Sequence, residues 1–422
     1  MKCLPVSKLP QANGVALHDW HAEVLAIRAF NRLILDECRR LAEDSSVESE
    51  FLRRRTQEEL PATPDGPWHR QPFAWREELT LHMYCSEAPC ASSAPAPFHL
   101  YSICPTNRPP GGDASMELIM SSQEDATPWE TPAPTTPSLS PPPQQTTTSS
   151  SQPSSPSSST PTSAPTLHGR AFFSHLGIVR RKPSRPDAPP THSKSCSDKL
   201  ALKQCTSLLS SLTSLFVSPR GVYLAGLVLP EAQFSRVGCA RCFGTGGGGG
   251  GSGSGSGREG EGDGDGDGGG GRMAPVGGRV WEGTGYGFRQ VVVETTGREF
   301  EFSRRGAGMA GENVKVVASN LAVAWTAGGE VEEGLIGGVL QGRKGVDVKG
   351  ASLTSRRKMW AAAVMVAGML GDEGICKELG ASSYDEVKEG SLLEGRRRVK
   401  EEVRTEALKG WLRNTGDGGF SL

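Results

Sequence analysis

The chain has 422 residues, a length that would allow two domains, and a net charge of −1. Its 10 cysteines are few and irregularly spaced, which argues against a disulfide framework and for an intracellular chain with free or metal-bound thiols. No apolar run is long enough to span a bilayer, so a soluble protein is expected.

Trp20 to Leu35 carries apolar residues at near-helical spacing, at Val24, Ala26-Ile27, Phe30 and Ile34-Leu35, with Asp19 placed to cap the helix. Thr80 to Cys85 reads as a strand. Residues 121–167 are rich in Ser, Thr and Pro. With no signal peptide to deliver an O-glycosylated stalk, they read as a disordered insert. Between Gly169 and Cys205 eight Lys/Arg face two Asp, so this segment carries +6 inside a nearly neutral chain. A polyanionic substrate calls for such a segment, although charge runs are usually solvated faces. Val222 to Leu229 is an almost continuous apolar strand suited to a covered sheet. Cys239-Ala240-Arg241-Cys242 has no second pair and reads as two incidental thiols. Residues 244–278, mostly Gly with Ser, Asp and Glu, read as a second disordered insert. Further strand is expected from Val291 through Phe302, and helices over Lys358 to Leu370 and Glu394 to Leu412. What remains fits one α/β catalytic domain assembled from several pieces.

Three separated fragments carry chemistry: His21-Ala22-Glu23, Pro89-Cys90 and Ser195-Cys196-Ser197-Asp198-Lys199. One His and two Cys leave zinc a fourth position for water, the requirement for a catalytic zinc site. A hydrolytic deaminase also needs a carboxylate beside the metal, but not on it, to move protons. His21 and Glu23, two apart at a helix start, could share one pocket. Each fragment alone is weak: His-x-Glu occurs by chance, and a lone Cys is usually a small buried hydrophobe. The general nucleobase deaminase signature continues Pro-Cys-x-x-Cys, which this chain lacks after Cys90.

A Pro-Cys followed at long interval by Ser-Cys-Ser-Asp-Lys resembles the adenosine-to-inosine RNA editing deaminases. Leu17 to Val24, Leu81 to Cys90, Gly177 to Cys205, Val314 to Trp325, Ser352 to Trp360 and Leu392 to Trp411 resemble the tRNA-editing branch in its fungal form. No double-stranded-RNA-binding domain precedes the catalytic motif, which favours that branch. The resemblance implies a cytidine-deaminase-like α/β/α sandwich, an extended editase-type deaminase domain with disordered insertions. It implies a zinc-dependent hydrolase that converts adenosine to inosine in tRNA, at the adenosine 3′ of the anticodon of tRNA-Ala. His21, Cys90 and Cys196 become the zinc ligands and Glu23 the proton shuttle. Arg180, Arg181, Lys182 and Arg185 border the RNA. A structural inositol hexakisphosphate is held by Arg28, Lys199, Lys203, Lys358, Tyr384, Lys388, Arg396 and Trp411. The compartment is nucleus or cytoplasm, and nothing points to a protein partner.

Two departures stand out. Residues 91–111, 21 in number, part Cys90 from Gly112-Asp113-Ala114-Ser115, and deleting them restores the family's Pro-Cys-Gly-Asp-Ala-Ser. Their Pro-rich, unrelated composition reads as a retained intron. The chain also opens about twenty residues before His21, where the family has a further helix and strand, so Met1 reads as an internal start. The alternatives are a catalytically impaired RNA-binding paralogue or defective gene model, or a nucleoside or cytidine deaminase.

Overall fold

The computed structural model describes residues 2–60, 70–89, 177–182, 189–245, 271–303, 319–344 and 347–422, with the short stretches 167–168 and 305–306. Cys90, Arg185, the 91–111 insert and almost all of the Ser/Thr/Pro tract lie outside the described residues. The last residues assigned to the Gly-rich insert are packed instead. Residues 271–278 make a 3-10 turn over Ala274–Val276, and Met273 and Val276 are fully buried. Two large apolar side chains supply what the glycines upstream lack.

The first long helix, α1, spans Ala22–Glu43. Its N-cap is His21, not Asp19, and it makes no side-chain cap bond. Asp19 Oδ1 instead accepts from the His21 backbone N–H and ring. The strands β1 (Leu52–Arg54) and β2 (Phe73–Trp75) form an antiparallel pair. Then comes β3 (Leu81–Tyr84), followed by the two-residue parallel pair β4 (Leu167–His168) and β5 (Arg180–Arg181). Helix α2 covers Cys196–Thr206, β6 covers Leu224–Pro230, and α3 covers Arg236–Phe243. The ribbon of β7 (Val280–Trp281) and β8 (Tyr286–Gly287) leads to β9 (Val292–Thr296). A meander follows: β10 (Leu321–Trp325), β11 (Glu332–Ile336) and β12 (Val339–Leu340). Four helices close the chain: α4 (Arg356–Leu370), α5 (Glu373–Leu379), α6 (Tyr384–Glu389) and α7 (Glu394–Glu406).

The sheet that organises the site is β3-β6-β9, all parallel, with β6 in the centre. The expected covered strand is therefore the central one, and its Leu227 and Leu229 are fully buried. They pack in one core with Leu200 and Ala201 of α2 and Val399 and Val403 of α7. A second core joins Ile34 and Leu35 of α1 to Trp360 and Val366 of α4, with Phe73 and Phe216. Ile27 of α1 touches both cores, so the catalytic helix is held from two sides. The helix expected to reach Leu412 ends at Glu406, because the chain turns to bridge Ile178: Lys409 N–H donates to Gly177 O at 2.6 Å and Val179 N–H to Lys409 O at 2.9 Å. The strand expected through Phe302 ends at Thr296, before Gly297.

Asn31 is a buried polar residue on α1 with every hydrogen-bonding atom engaged. Its Nδ2 donates to Ile27 O (2.7 Å) and Leu208 O (3.0 Å), and its Oδ1 accepts from Thr213 Oγ1 (2.6 Å) and the Ser210 N–H (2.5 Å). It therefore pins the 207–213 loop to the catalytic helix. Asn31→Ala is expected to cost about 2–4 kcal/mol in denaturant unfolding, since buried donors and acceptors lose their partners. A loss under 1 kcal/mol would show the loop is held by other contacts.

Candidate active site

The segment before α1 is braced from two directions. Leu17 N–H donates to Gly338 O at 2.8 Å, and Gly338, at φ +86°, lies where any Cβ would strike Leu17 O and the Trp20 ring. Only glycine allows that approach. From the other side, the buried Asp417 carboxylate accepts from Gly14 N–H (2.8 Å), His18 Nε2 (2.7 Å) and Arg356 Nη1 (3.1 Å). Burial and the adjacent Arg356 lower His18 to about 4. His18 is thus neutral, giving its Nε2 proton to Asp417.

Asp19 is the hub of the site. It is 3% exposed, and its Oδ1 accepts from His21 Nδ1 at 2.7 Å. Its Oδ2 accepts from Ser193 Oγ at 2.6 Å and from Lys199 Nζ, with Lys182 Nζ at 3.5 Å. Burial alone would raise its pKa, but Lys199, Lys182 and His21 hold the carboxyl well below the usual range. For His21, burial works against the imidazolium, yet the bonds to Asp19 and Cys3 raise it to about 9. The Asp19 bond engages Nδ1 and leaves Nε2 as the nitrogen available to a metal. A carboxylate on the second nitrogen of a ligating His fixes its tautomer and ring orientation.

Cys196 is the first residue of α2, whose N-cap Ser195 accepts from the Asp198 N–H at 3.0 Å. Lys182 Nζ lies 3.0 Å from Cys196 Sγ, which in turn lies 3.4 Å from Glu23 Oε2. The helix N-terminus and an ammonium therefore face this sulfur together. Cys85, at the end of β3, is buried, and burial and Glu23 push its thiol up. Cys3, Asp19 and His21 also have ligand atoms within 4.8 Å of one another. Both Asp19 oxygens are already engaged by donors, so this trio acts as support for the ring.

Of the expected site residues, the structure brings Cys196 to Glu23, and it places Glu23 in the first turn of the helix that His21 caps. The expected RNA contacts need correction. Arg180 is 5% exposed, and its backbone N–H donates to Asp198 Oδ2 at 3.0 Å. Lys182 is equally buried and serves Cys196 and Asp19. Both side chains are buried in this fold. Arg181 is partly exposed, and Arg185 lies outside the described residues. The basic segment is thus spent in part on internal electrostatics.

Asp19→Asn keeps the size of the side chain but loses the charge facing two lysines. It is expected to weaken zinc binding by about 10–100-fold, the usual effect of losing a partner behind a metal-ligating His. Titration of metal-free protein against a chelator of known affinity checks this. Unchanged affinity would remove Asp19 from the support of His21.

A second polar cluster lies behind the first. Arg396 is 4% exposed; Nη1 donates to Thr206 O (2.7 Å) and Tyr286 OH (2.9 Å), and Nη2 donates to Leu209 O (2.5 Å). Lys203 Nζ donates to Leu208 O (3.1 Å) and Leu209 O (2.9 Å). Burial, then Arg396 and Arg28, push Lys203 well below the usual lysine range. Burial, then Arg396, Arg404 and Lys203, do the same to Lys400. Arg28 and Arg404 are each lowered to about 10, mainly by burial, then by Arg356 and Arg413 respectively. The Nε atoms of Arg396 and Arg404 are buried without a partner among the described residues. Trp411 lies beneath Lys194 and Arg404, at 5.0 and 5.3 Å.

Of the other residues expected here, Lys199 belongs to the Asp19 hub. Lys388 pairs with Asp385 at 2.5 Å over the Tyr384 ring, and Lys358 lies in the first turn of α4. Lys400, Arg404 and Arg356 were not anticipated. The signal was available for two of them: Arg396, Lys400 and Arg404 are spaced i, i+4, i+8 along one face of α7.

Comparison with known proteins follows the same outline. The model of the adenosine-deaminase (editase) domain matches residues 1–243. The tRNA-specific adenosine deaminase 1 of Schizosaccharomyces pombe is 35% identical over 245 residues, 58% of this chain and 46% of that protein. Its namesake from Saccharomyces cerevisiae is 29% identical over 234 residues, 55% of this chain and 45% of that protein. The chain spans about half the length of the curated relatives it matches.

Proposed function

This chain belongs to the adenosine-deaminase (editase) domain family, and from that premise we propose that it deaminates adenosine to inosine in tRNA, using zinc. The observation that carries the reading is Glu23 Oε2 at 3.4 Å from Cys196 Sγ, beside a His21 whose Nδ1 is already engaged. A carboxylate beside one proposed ligand atom, in the helix turn that follows the other, is what hydrolytic deamination requires. Zinc fits this donor set: neutral Nε2 from His21, the Cys196 sulfur and, from outside the described residues, Cys90. When bound, zinc would lower the pKa of water so that it can add to C6 of adenine. Glu23 is placed to take a proton from the attacking water and deliver it to the departing amine. Asp19 holds the His21 ring throughout, and the Lys182 ammonium, 3.0 Å from the Cys196 sulfur, favours its thiolate form. The adenine must leave its stack to enter, since C6 is out of reach inside a duplex.

The names of the two relatives support tRNA as the substrate. We extend the reading to the adenosine 3′ of the anticodon of tRNA-Ala, and to a cytidine-deaminase-like α/β/α sandwich around β3-β6-β9. The cluster around Arg396, Lys400, Arg404, Lys203 and Arg28 fits inositol hexakisphosphate, because buried cations that repel one another call for a polyanion. No helix among the described residues is long and apolar enough to cross a membrane, consistent with a nuclear or cytoplasmic enzyme.

The test is inosine formation in transcribed tRNA-Ala, read as A-to-G in cDNA, alongside metal analysis. About one zinc per chain is expected, falling on Cys196→Ser. Metal-free protein that still forms inosine would sink the mechanism. The form lacking residues 91–111, which joins Cys90 to Gly112, is expected to be the more active one. Equal activity of both forms would make the insert a tolerated loop and refute the retained-intron reading.

A further inference from the structure

The parallel strands β3, β6 and β9 end on the same side of the sheet, the side where open α/β sheets receive ligands. At that edge the residues after β9 present two large aromatic rings to solvent. Phe300 is 49% exposed and Phe302 77% exposed, and their rings meet edge-on with centroids 5.6 Å apart. Two adjacent aromatic rings held outward by one hydrogen-bonded turn make an exposed apolar patch, the kind of surface that marks an interaction site.

The turn is built, and it is tied to the strand that leads into the site. Ser303 is 3% exposed and its N–H donates to Phe300 O at 2.8 Å. Tyr84, the last residue of β3 and itself 43% exposed, accepts from Phe300 N–H at 3.1 Å and donates to Arg298 O at 3.3 Å. Arg305 donates to Ser86 O at 2.8 Å and pairs with Glu299 at 2.9 Å and Glu87 at 3.5 Å. Ser86 and Glu87 directly follow Cys85, which lies near Glu23, and precede Pro89-Cys90. The aromatic pair is therefore fixed to the stretch that carries the chain into the catalytic centre. Glu299 is neutralised by Arg305, whereas Arg298 has no carboxylate partner among the described residues.

We infer that Phe300 and Phe302 form a stacking platform for unpaired bases of the RNA substrate beside the reacting adenosine. This rests on the RNA deaminase reading above. An adenosine taken out of its stack leaves neighbouring bases without partners, and exposed aromatic rings are the usual acceptors of unpaired bases. Stacking on a ring face is tolerant of base identity, so the platform would contribute affinity and placement. Choice of the adenosine would come from elsewhere.

The test uses the full chain and two fluorescein-labelled RNAs, a hairpin with a seven-base loop and a blunt duplex of the same length, with binding read by anisotropy. Phe302→Ala and the double variant Phe300→Ala/Phe302→Ala are expected to weaken hairpin binding by about tenfold. Duplex binding should stay within twofold, and Phe302→Trp should restore the hairpin affinity. Because the rings are exposed, the melting temperature should not change. Unchanged hairpin affinity, equal loss on the duplex, or no hairpin binding by the parent chain would overturn the platform. So would a concentration-dependent dimer abolished by the substitutions with RNA affinity intact, which would make the pair a self-association face. Aromatic-dependent hairpin binding without inosine formation would leave the platform standing and refute the deaminase reading. Undiminished inosine formation by the double variant at limiting RNA would do the reverse.

Discussion

Glu23→Ala is expected to abolish measurable inosine formation, a loss of about 10²–10⁴-fold in the rate of a single turnover. Zinc content and tRNA affinity should stay within a few-fold of the parent. The expectation follows from position: Oε2 is 3.4 Å from Cys196 Sγ, and the proposed donor set of His21, Cys90 and Cys196 is complete without it. Glu23→Gln is the sharper variant, because it keeps shape and hydrogen bonding and removes only proton transfer. A variant within a few-fold of the parent would mean that another group moves the proton. Loss of zinc would mean that Glu23 is a ligand.

Withholding the polyanion is expected to have the largest effect on stability. An uncompensated buried charge costs about 3–5 kcal/mol when its partner is removed, and a domain's whole net stability is about 5–15 kcal/mol. With Lys203, Arg396 and Lys400 facing one another, protein stripped of polyphosphate should melt far lower or fail to fold. Inositol hexakisphosphate should restore it where inorganic phosphate at equal charge does not. The sign of the pH dependence is a second check. The lysine pKa values are lowered in the folded state, so the unfolded chain binds more protons between the folded and unfolded values. Stability of the stripped protein should therefore rise with pH across that window. A bound polyanion favours the charged lysines and should flatten that rise. Native mass spectrometry of the purified protein reads the bound mass directly. Protein free of phosphate with the same melting temperature at all pH values would refute the assignment.

The motifs, and most of the elements that carry them, are legible along the chain. His-x-Glu at a helix start, Ser-Cys-Ser-Asp-Lys with its Ser195 cap, and the apolar strand ending in Leu229 are local patterns. Capping and periodicity act within a turn or two, so they can be read along the chain. The first hairpin of the meander shows the same local logic, in the alternation Leu321-Ala322-Val323-Ala324-Trp325 and the Gly328-Gly329 turn.

Where charge goes, by contrast, is settled by contacts between distant parts of the chain. Asp19 looked like a helix cap, because Asp before an apolar-periodic segment usually is one. The lysines at 182 and 199 come from 163 and 180 residues further along the chain, and they make Asp19 the hub of the site instead. Arg180 and Lys182 looked like an RNA-facing charge run, and folding turns both inward. Net charge over a segment does not say which side chains face solvent; burial does, and burial depends on contacts distant in sequence. Arg28, Lys203 and Arg396 become one cation cluster only when α1, α2 and α7 pack together. Their mutual repulsion, the physical case for a polyanion, does not exist until they do.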